Sequence, residues 1–326
     1  IDMYYLTTKR KATELELIWN AKGTYKINDT RFAAVDVSLS NANRSDSSTS
    51  NRFLLLVKPT YKLVEEKWDL TVGASVNYTT DTLKGTKGLH IYPAIHGNYN
   101  FIPGRVTLFA GIGGGMDKNT NRTLIQQNPY LGSDVPLHHT SRKIDLYVGS
   151  SGNIDNHVSY KVLMSYKAFT NQYFLTNSAS DSSQFTAVYD KAGVFSLDGG
   201  LFYDLNKTWR ISANMLYNAW KTDVQAAAWH RPAFQSSMGI QYNLKQKIYF
   251  NAEMYYISGI QGINLESNRT VKLKDIADLS LKTEYRFSNT FSAFIELNNI
   301  LSQKYQRYTY YQVKGFNILA GLTYSF

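Results

Sequence analysis

The chain has 326 residues, no cysteine and a formal net charge of +10, so disulfide staples and thiolate metal sites are excluded. Tyrosine and phenylalanine are abundant, 25 and 16, yet mean hydropathy is −0.33. No apolar run reaches the roughly 18 residues that a membrane-crossing helix needs.

In chain order, Asp2 to Thr8 reads as a first strand, turning at Lys9-Arg10-Lys11. Leu15 to Ile27 then places Leu15, Leu17, Trp19, Ala21, Tyr25 and Ile27 on one face and Glu14, Glu16, Asn20, Lys22, Thr24 and Lys26 on the other. The same period of two returns from Trp68, Val158, Trp209 and Leu279 onward, over strands of ten or more residues. Alternation of this length predicts strands with one apolar and one wet face, and a tilted membrane-spanning strand needs roughly 9–11 residues.

Seven short turns punctuate the chain: Asn28-Asp29, Glu65-Glu66, Pro103-Gly104, Asp155-Asn156, Asn206-Lys207, Lys245-Gln246 and Ser288-Asn289. These residue types suit tight hairpins. Longer polar segments join the other strand ends: Asn41 to Asn51, Thr79 to Gly88, Lys118 to Thr140, Thr170 to Lys191, Thr222 to His230, Ser258 to Lys274 and Gln303 to Thr309. Short turns at one end and long loops at the other are the asymmetry of an outer-membrane barrel, turns toward the periplasm. Two strands per short turn plus a terminal strand make fifteen, and the first segment supplies the even number that closure prefers. The expectation is therefore an all-β, antiparallel up-and-down transmembrane β-barrel of sixteen strands, or fourteen if the first segment and its neighbour are not strands. Residues 1–326 would form a single domain.

Aromatics beside the short turns predict a periplasmic girdle on the apolar face: Tyr25, Phe32, Tyr61, Trp68, Tyr203, Trp209, Phe287 and Phe291. A second set, including Phe53, Tyr78, Tyr166, Tyr217, Tyr256 and Phe316, lies near the long loops. The polar faces carry charges of both signs, among them Lys22, Lys58, Asp145, Lys161, Lys167, Asp198, Arg210, Glu253, Lys282, Glu284, Arg286 and Glu296. Charges are costly in hydrocarbon, so these residues are expected to line a lumen laced by ion pairs. The positive balance fits a basic solvated surface, a cationic pore, or an anionic partner such as lipopolysaccharide phosphate.

Gly111, Gly113, Gly114 and Gly115 (GIGGG) are read as a site of strand bending or close packing, since no Lys-Ser/Thr follows and no helix is predicted there. Pro59 and Pro93 are expected to mark bulges or breaks in the ladder. His90 and His96 share a polar face but stand too far apart to chelate one metal. His138-His139 falls in the longest loop and is expected to be an exposed polar stretch. No nucleophile, acid–base or metal constellation stands out, so neither enzymatic activity nor a cofactor is expected, and no nucleic acid is among the expected partners.

The final strand, Phe316 to Phe326, alternates Phe316, Ile318, Ala320, Leu322, Tyr324 and Phe326 against mostly small or polar residues. It resembles the terminal strand of bacterial outer-membrane barrels, in which Tyr324 and Phe326 would serve as the signal to the barrel-assembly machinery. With the preceding Leu297-Asn-Asn-Ile-Leu and Gln303-Lys-Tyr, the last thirty residues resemble the C-terminus of TonB-dependent receptors, most nearly the Bacteroidota type. That resemblance implies an integral outer-membrane protein contacting lipid and lipopolysaccharide. Complete receptors of the family carry a plug domain, a TonB-interacting segment and twenty-two strands; the chain is read as lacking the plug. Two functions follow as expectations: a channel or transporter for hydrophilic solutes, or an accessory subunit, with an occluded barrel, of a complex with other envelope proteins.

Overall fold

The computed structural model describes the chain apart from residues 9–11, 47–48, 82, 84–85, 206–207, 266, 268 and 326. In order, its strands are β1 (Asp2–Thr7), β2 (Thr13–Asn28), β3 (Arg31–Ser45), β4 (Thr49–Val64), β5 (Trp68–Thr79), β6 (Gly88–Ile102) and β7 (Val106–Asp117). A short helix, α1 (Asn121–Gln127), precedes β8 (Thr140–Asn153), β9 (Val158–Asn177), β10 (Phe185–Leu205), β11 (Trp209–Thr222), β12 (Phe234–Leu244) and β13 (Ile248–Ser258). Then come β14 (Gln261–Asn264), β15 (Arg269–Lys272), β16 (Ile276–Arg286), β17 (Phe291–Asn298), β18 (Gln306–Tyr308), β19 (Tyr311–Gln312) and β20 (Asn317–Tyr324). Sixteen strands form one antiparallel sheet in which each pairs with the next, the small hairpins β14–β15 and β18–β19 standing apart. The count of sixteen is the one the alternation predicts. Among the described residues β1 and β20 are the edge strands.

The expected short turns fall between strands, except that Asn206-Lys207 lies outside the described residues, as does the turn at Lys9-Arg10-Lys11. Local chemistry explains the others. Pro103 precedes Gly104 at φ 72°, and the Arg105 N–H bonds Ile102 O at 2.9 Å, the arrangement a proline followed by a positive-φ glycine favours. Lys245 and Gln246 both take positive φ, 51° and 59°, which matches the turn to the strand twist.

Several loop boundaries differ from expectation. Asn41 to Asn51 is mostly ladder, with Asn41 opposite Phe53 and Asn43 opposite Asn51. Thr170 to Lys191 likewise shortens, because β9 runs to Asn177 and β10 begins at Phe185. Polar residues extend these strands because backbone pairing, not hydrophobicity, carries them past the apolar band. Pro59 breaks the β4–β5 ladder without shifting it: pairing stops at Val57–Val76 and resumes at Thr60–Gly73. Pro93 stays in register opposite Ala74. The glycine run does mark bending and close packing, since the β7–β8 register shifts between Gly113 and Gly115. A Cβ at Gly114 would lie 2.9 Å from Arg142 O and from the Tyr92 ring.

The sheet is two-faced in an inverted sense. Large apolar side chains are exposed along one face, including Leu17, Trp19, Val72, Ile91, Met238, Ile318 and Leu322, while Glu14, Glu16, Arg44, Arg52, Asn77 and Asp81 are buried against the other. Phe32 corrects the predicted girdle. It stands opposite Lys26 and Lys62 and so lies on the charged face, whereas Ala33 pairs with Tyr25 and Tyr61 on the apolar one. The β2–β3 register shifts between Lys26 and Asn28, so distance from the turn misjudges the phase of the first residues of β3.

Candidate functional site

Two features share the charged face: a wall of paired charges and, at the long-loop end, a cap made of interlocked loops. Cross-strand register builds the wall, because directly opposed residues share a face. Asp36 stands between Lys22 and Lys58, Asp145 opposite Lys167, Lys282 opposite Glu296, and Arg210 opposite Asp204. Lys22–Asp36 closes to 3.6 Å, Arg210–Asp204 to 2.6 Å and Arg286–Glu284 to 3.5 Å. The Arg286 guanidinium also lies 4.2 Å from the Tyr249 ring centroid. Lys161 stands opposite Ser151 and Gly200, Asp198 opposite Leu163 and Leu216, and Glu253 opposite Gly239 and Ser280, all on this face. The predicted charges are thus spread from β2 to β17 rather than gathered at one point.

On the apolar face, Tyr25, Trp68, Trp209 and Phe287 are exposed beside the short turns. Trp209 packs on Tyr242 at 4.3 Å between ring centroids, and Phe287 on Phe291 at 5.4 Å. Tyr61 and Tyr203 occupy the same face through their pairs Ala33 and Ile211. Tyr324 is exposed opposite Phe291, and Phe326 lies outside the described residues.

The cap is the part that sequence reading missed. The segment between β7 and β8 is neither helix-free nor exposed. Thr120 caps α1, accepting from the Thr123 N–H while the Thr123 hydroxyl receives the Thr120 N–H, a reciprocal box that satisfies two end donors. Glu14, fully buried on β2, accepts from the backbone N–H groups of Asn121 at 3.0 Å and Arg122 at 3.2 Å. A carboxylate is stabilised there by unpaired N–H donors. Arg52 lies 3.8 Å from Glu14 and donates to Asn119 O at 2.7 Å. Lys118 and the Ser40 hydroxyl both bond Glu16, and Arg44 bonds the carbonyls of Ser133 and Val135.

His138 and His139, expected to be exposed, are drawn to Asp81: its carboxylate is 2.8 Å from His138 Nδ1 and accepts the His139 N–H. Burial alone would raise the Asp81 carboxyl, but these two hydrogen bonds outweigh it and hold it below its ordinary value. Burial pushes His139 down to about 4, helped by the positive Arg52. Among the described residues no group of His, Asp or Glu is arranged to hold a metal ion.

Other loops lock onto the same segment. Leu124, Val135 and Leu137 pack with Leu175, Phe185 and Tyr308. Tyr308 donates to Gln127 O, and Tyr4 donates to Thr120 Oγ1 at 3.2 Å. His230 bonds Leu175 O at 2.7 Å and the Thr309 hydroxyl at 2.9 Å, and burial pushes it down to about 4 against the hydrogen bond to Leu175. The Thr120/Thr123 spacing is the local feature that could have marked α1; its partner Glu14 lies 107 residues from Asn121.

No protein-family model matches the chain, and no curated protein matches it. Solved structures do. The FrpB iron transporter from Neisseria meningitidis aligns with TM-score 0.72 and 10% identity over 96% of this chain and 55% of that one. The copper transporter OprC gives 0.69 and 12% over 97% and 57%. The pyoverdine outer membrane receptor FpvA from Pseudomonas aeruginosa PAO1 gives 0.66 and 13% over 97% and 53%. The chain spans about half the length of the solved structures it matches. At these identities the likeness establishes the fold, which is TonB-receptor-like.

Proposed function

We propose that this chain is an integral outer-membrane β-barrel protein whose charged face encloses a hydrated lumen for hydrophilic solutes, with the loop cap as its outer gate. The observation that carries this reading is the inverted sheet: exposed aliphatics and aromatics on one face, ion pairs on the other. In water such a surface would aggregate; against lipid the same apolar face is stabilising and the charges avoid hydrocarbon. Curvature into a barrel is supported by α1, since Tyr4 on the first strand and Tyr308 near the last both bond this one short helical segment. Lys22, Lys58, Asp145, Lys161, Lys167, Asp198, Arg210, Glu253, Lys282, Glu284, Arg286 and Glu296 would line the lumen. Tyr25, Tyr61, Trp68, Tyr203, Trp209, Phe287 and Phe291 would meet the periplasmic lipid interface, with lipopolysaccharide on the other leaflet. The terminal strand, with Tyr324 and Phe326, would engage the assembly machinery.

The test is reconstitution of the purified chain in planar bilayers. Transport predicts ionic conductance whose cation–anion preference shifts when Lys161→Glu or Glu284→Lys reverses a wall charge. A folded, bilayer-inserted chain that neither conducts nor binds solute would overturn it. The interlocked cap favours one second reading, an occluded accessory subunit, which predicts no conductance and co-purification with other envelope proteins.

A further inference from the structure

On the charged face of β6 to β9 a recess of about 480 Å³ is lined by His96, Phe109, Tyr147, Lys161, Ser165 and Lys167, among others. Glycines shape it. Gly111 stands opposite Tyr147 and Gly149 opposite Phe109. A Cβ at Gly111 would lie 2.3 Å from the Tyr147 hydroxyl, and one at Gly149 2.4 Å from the Phe109 ring. Ring atoms of Tyr147 and Phe109 therefore occupy the space that a side chain at these glycines would fill. His96 Nδ1 is 2.8 Å from the Tyr147 hydroxyl, which fixes that ring. Lys161 reaches 6.0 Å from the Phe109 centroid. The one carboxylate in the lining, Asp145, is engaged by Arg142 at 3.4 Å. Lys161 thus presents its ammonium group beside a floor of two aromatic rings, with hydroxyls at the margin, while Lys167 lies further along β9 opposite Asp145.

We infer that this recess is a solute subsite for sugar acids: a pyranose packs its C–H face on Phe109 and Tyr147, and its carboxylate is held by Lys161. Apolar ring burial supplies contact area, the ammonium group supplies a charge-assisted hydrogen bond, and the volume lies within the range of small-molecule sites. The inference rests on the lumen reading, since the recess must be open to water.

The experiment is titration of the detergent-solubilised full chain with sodium D-glucuronate, D-glucose and D-glucosamine, followed by saturation-transfer NMR. Glucuronate should bind in roughly the millimolar range, with neutral glucose and cationic glucosamine, which both lack the carboxylate, about tenfold weaker or more. Lys161→Met should weaken glucuronate about tenfold and leave the circular dichroism of the sheet unchanged, whereas Lys67→Met, at the exposed turn between β4 and β5, should leave binding intact. No glucuronate signal from a folded chain, equal binding of all three sugars, or binding indifferent to Lys161 would overturn the subsite. A chain that conducts in bilayers but fails here loses only the subsite. A chain that binds glucuronate without conducting loses only the channel.

Discussion

Gly111 and Gly149 show how a missing side chain can be specified by its neighbours. At Gly111 an added methyl meets the Tyr147 hydroxyl and also Ile95 O at 2.6 Å; at Gly149 it meets Val162 O at 2.5 Å. A flexible ring can retreat, but the backbone carbonyls belong to the ladder, so the clash cannot be relieved by a rotamer change. Gly111→Ala should destabilise the sheet by about 1–3 kcal/mol, read as a lower thermal midpoint in detergent. Gly23, where a Cβ would meet nothing within 4 Å, is the control: Gly23→Ala should be neutral or slightly stabilising. The glycine-rich run was legible as a place of close packing, but not which ring fills which gap, since that depends on register between strands about 35 residues apart.

At the scale of elements, α1 depends on its surroundings. Seven residues are too few to hold a helix in water, and the helix has no acidic residue in its own first turn. Glu14 supplies that charge from β2. Glu14→Ala removes the acceptor for two N–H groups and leaves Arg52, itself buried, without its counter-charge. Loss of one partner of a buried pair costs about 3–5 kcal/mol. The expected outcome is local: faster proteolysis within Lys118 to Thr140 and unchanged sheet content. Arg52→Ala alone should act similarly, and the double variant should cost less than the sum of the two. Strands of the main sheet were readable because period-two alternation is local. The helix was not, because it lacks any apolar period and its partners Glu14, Arg52 and Tyr308 lie on segments remote from it in the chain.

Across the whole molecule, the cap gathers three groups whose protonation favours its release. His139 and His230 are held near 4, below the ordinary value of about 6.5 of an unfolded histidine. As pH falls below about 6.5 the released state binds protons that the closed cap refuses, so closure weakens until pH reaches about 4 and then levels. Asp81, held below its ordinary carboxyl value, adds to this at lower pH, its contribution being lost as pH falls through its depressed range. Opening of the cap, read as amide hydrogen exchange corrected for the intrinsic base-catalysed rate, should therefore rise about tenfold or more between pH 7 and pH 4.5, and His139→Gln should flatten the response; a pH-independent corrected opening would contradict it. The strand count, the two faces and the charged wall could be read from the chain because they repeat along it. The cap could not, because its bonds join segments such as Glu14 and Asn121, or Gln127 and Tyr308, separated by 107 and 181 residues. That separation also sets an order in time. Contacts so remote in the chain carry the largest loop-closure cost, so the expected order is sheet first and α1 last. On that expectation, a chain halted partway through folding would be recognised by a segment 118–139 still open to cleavage.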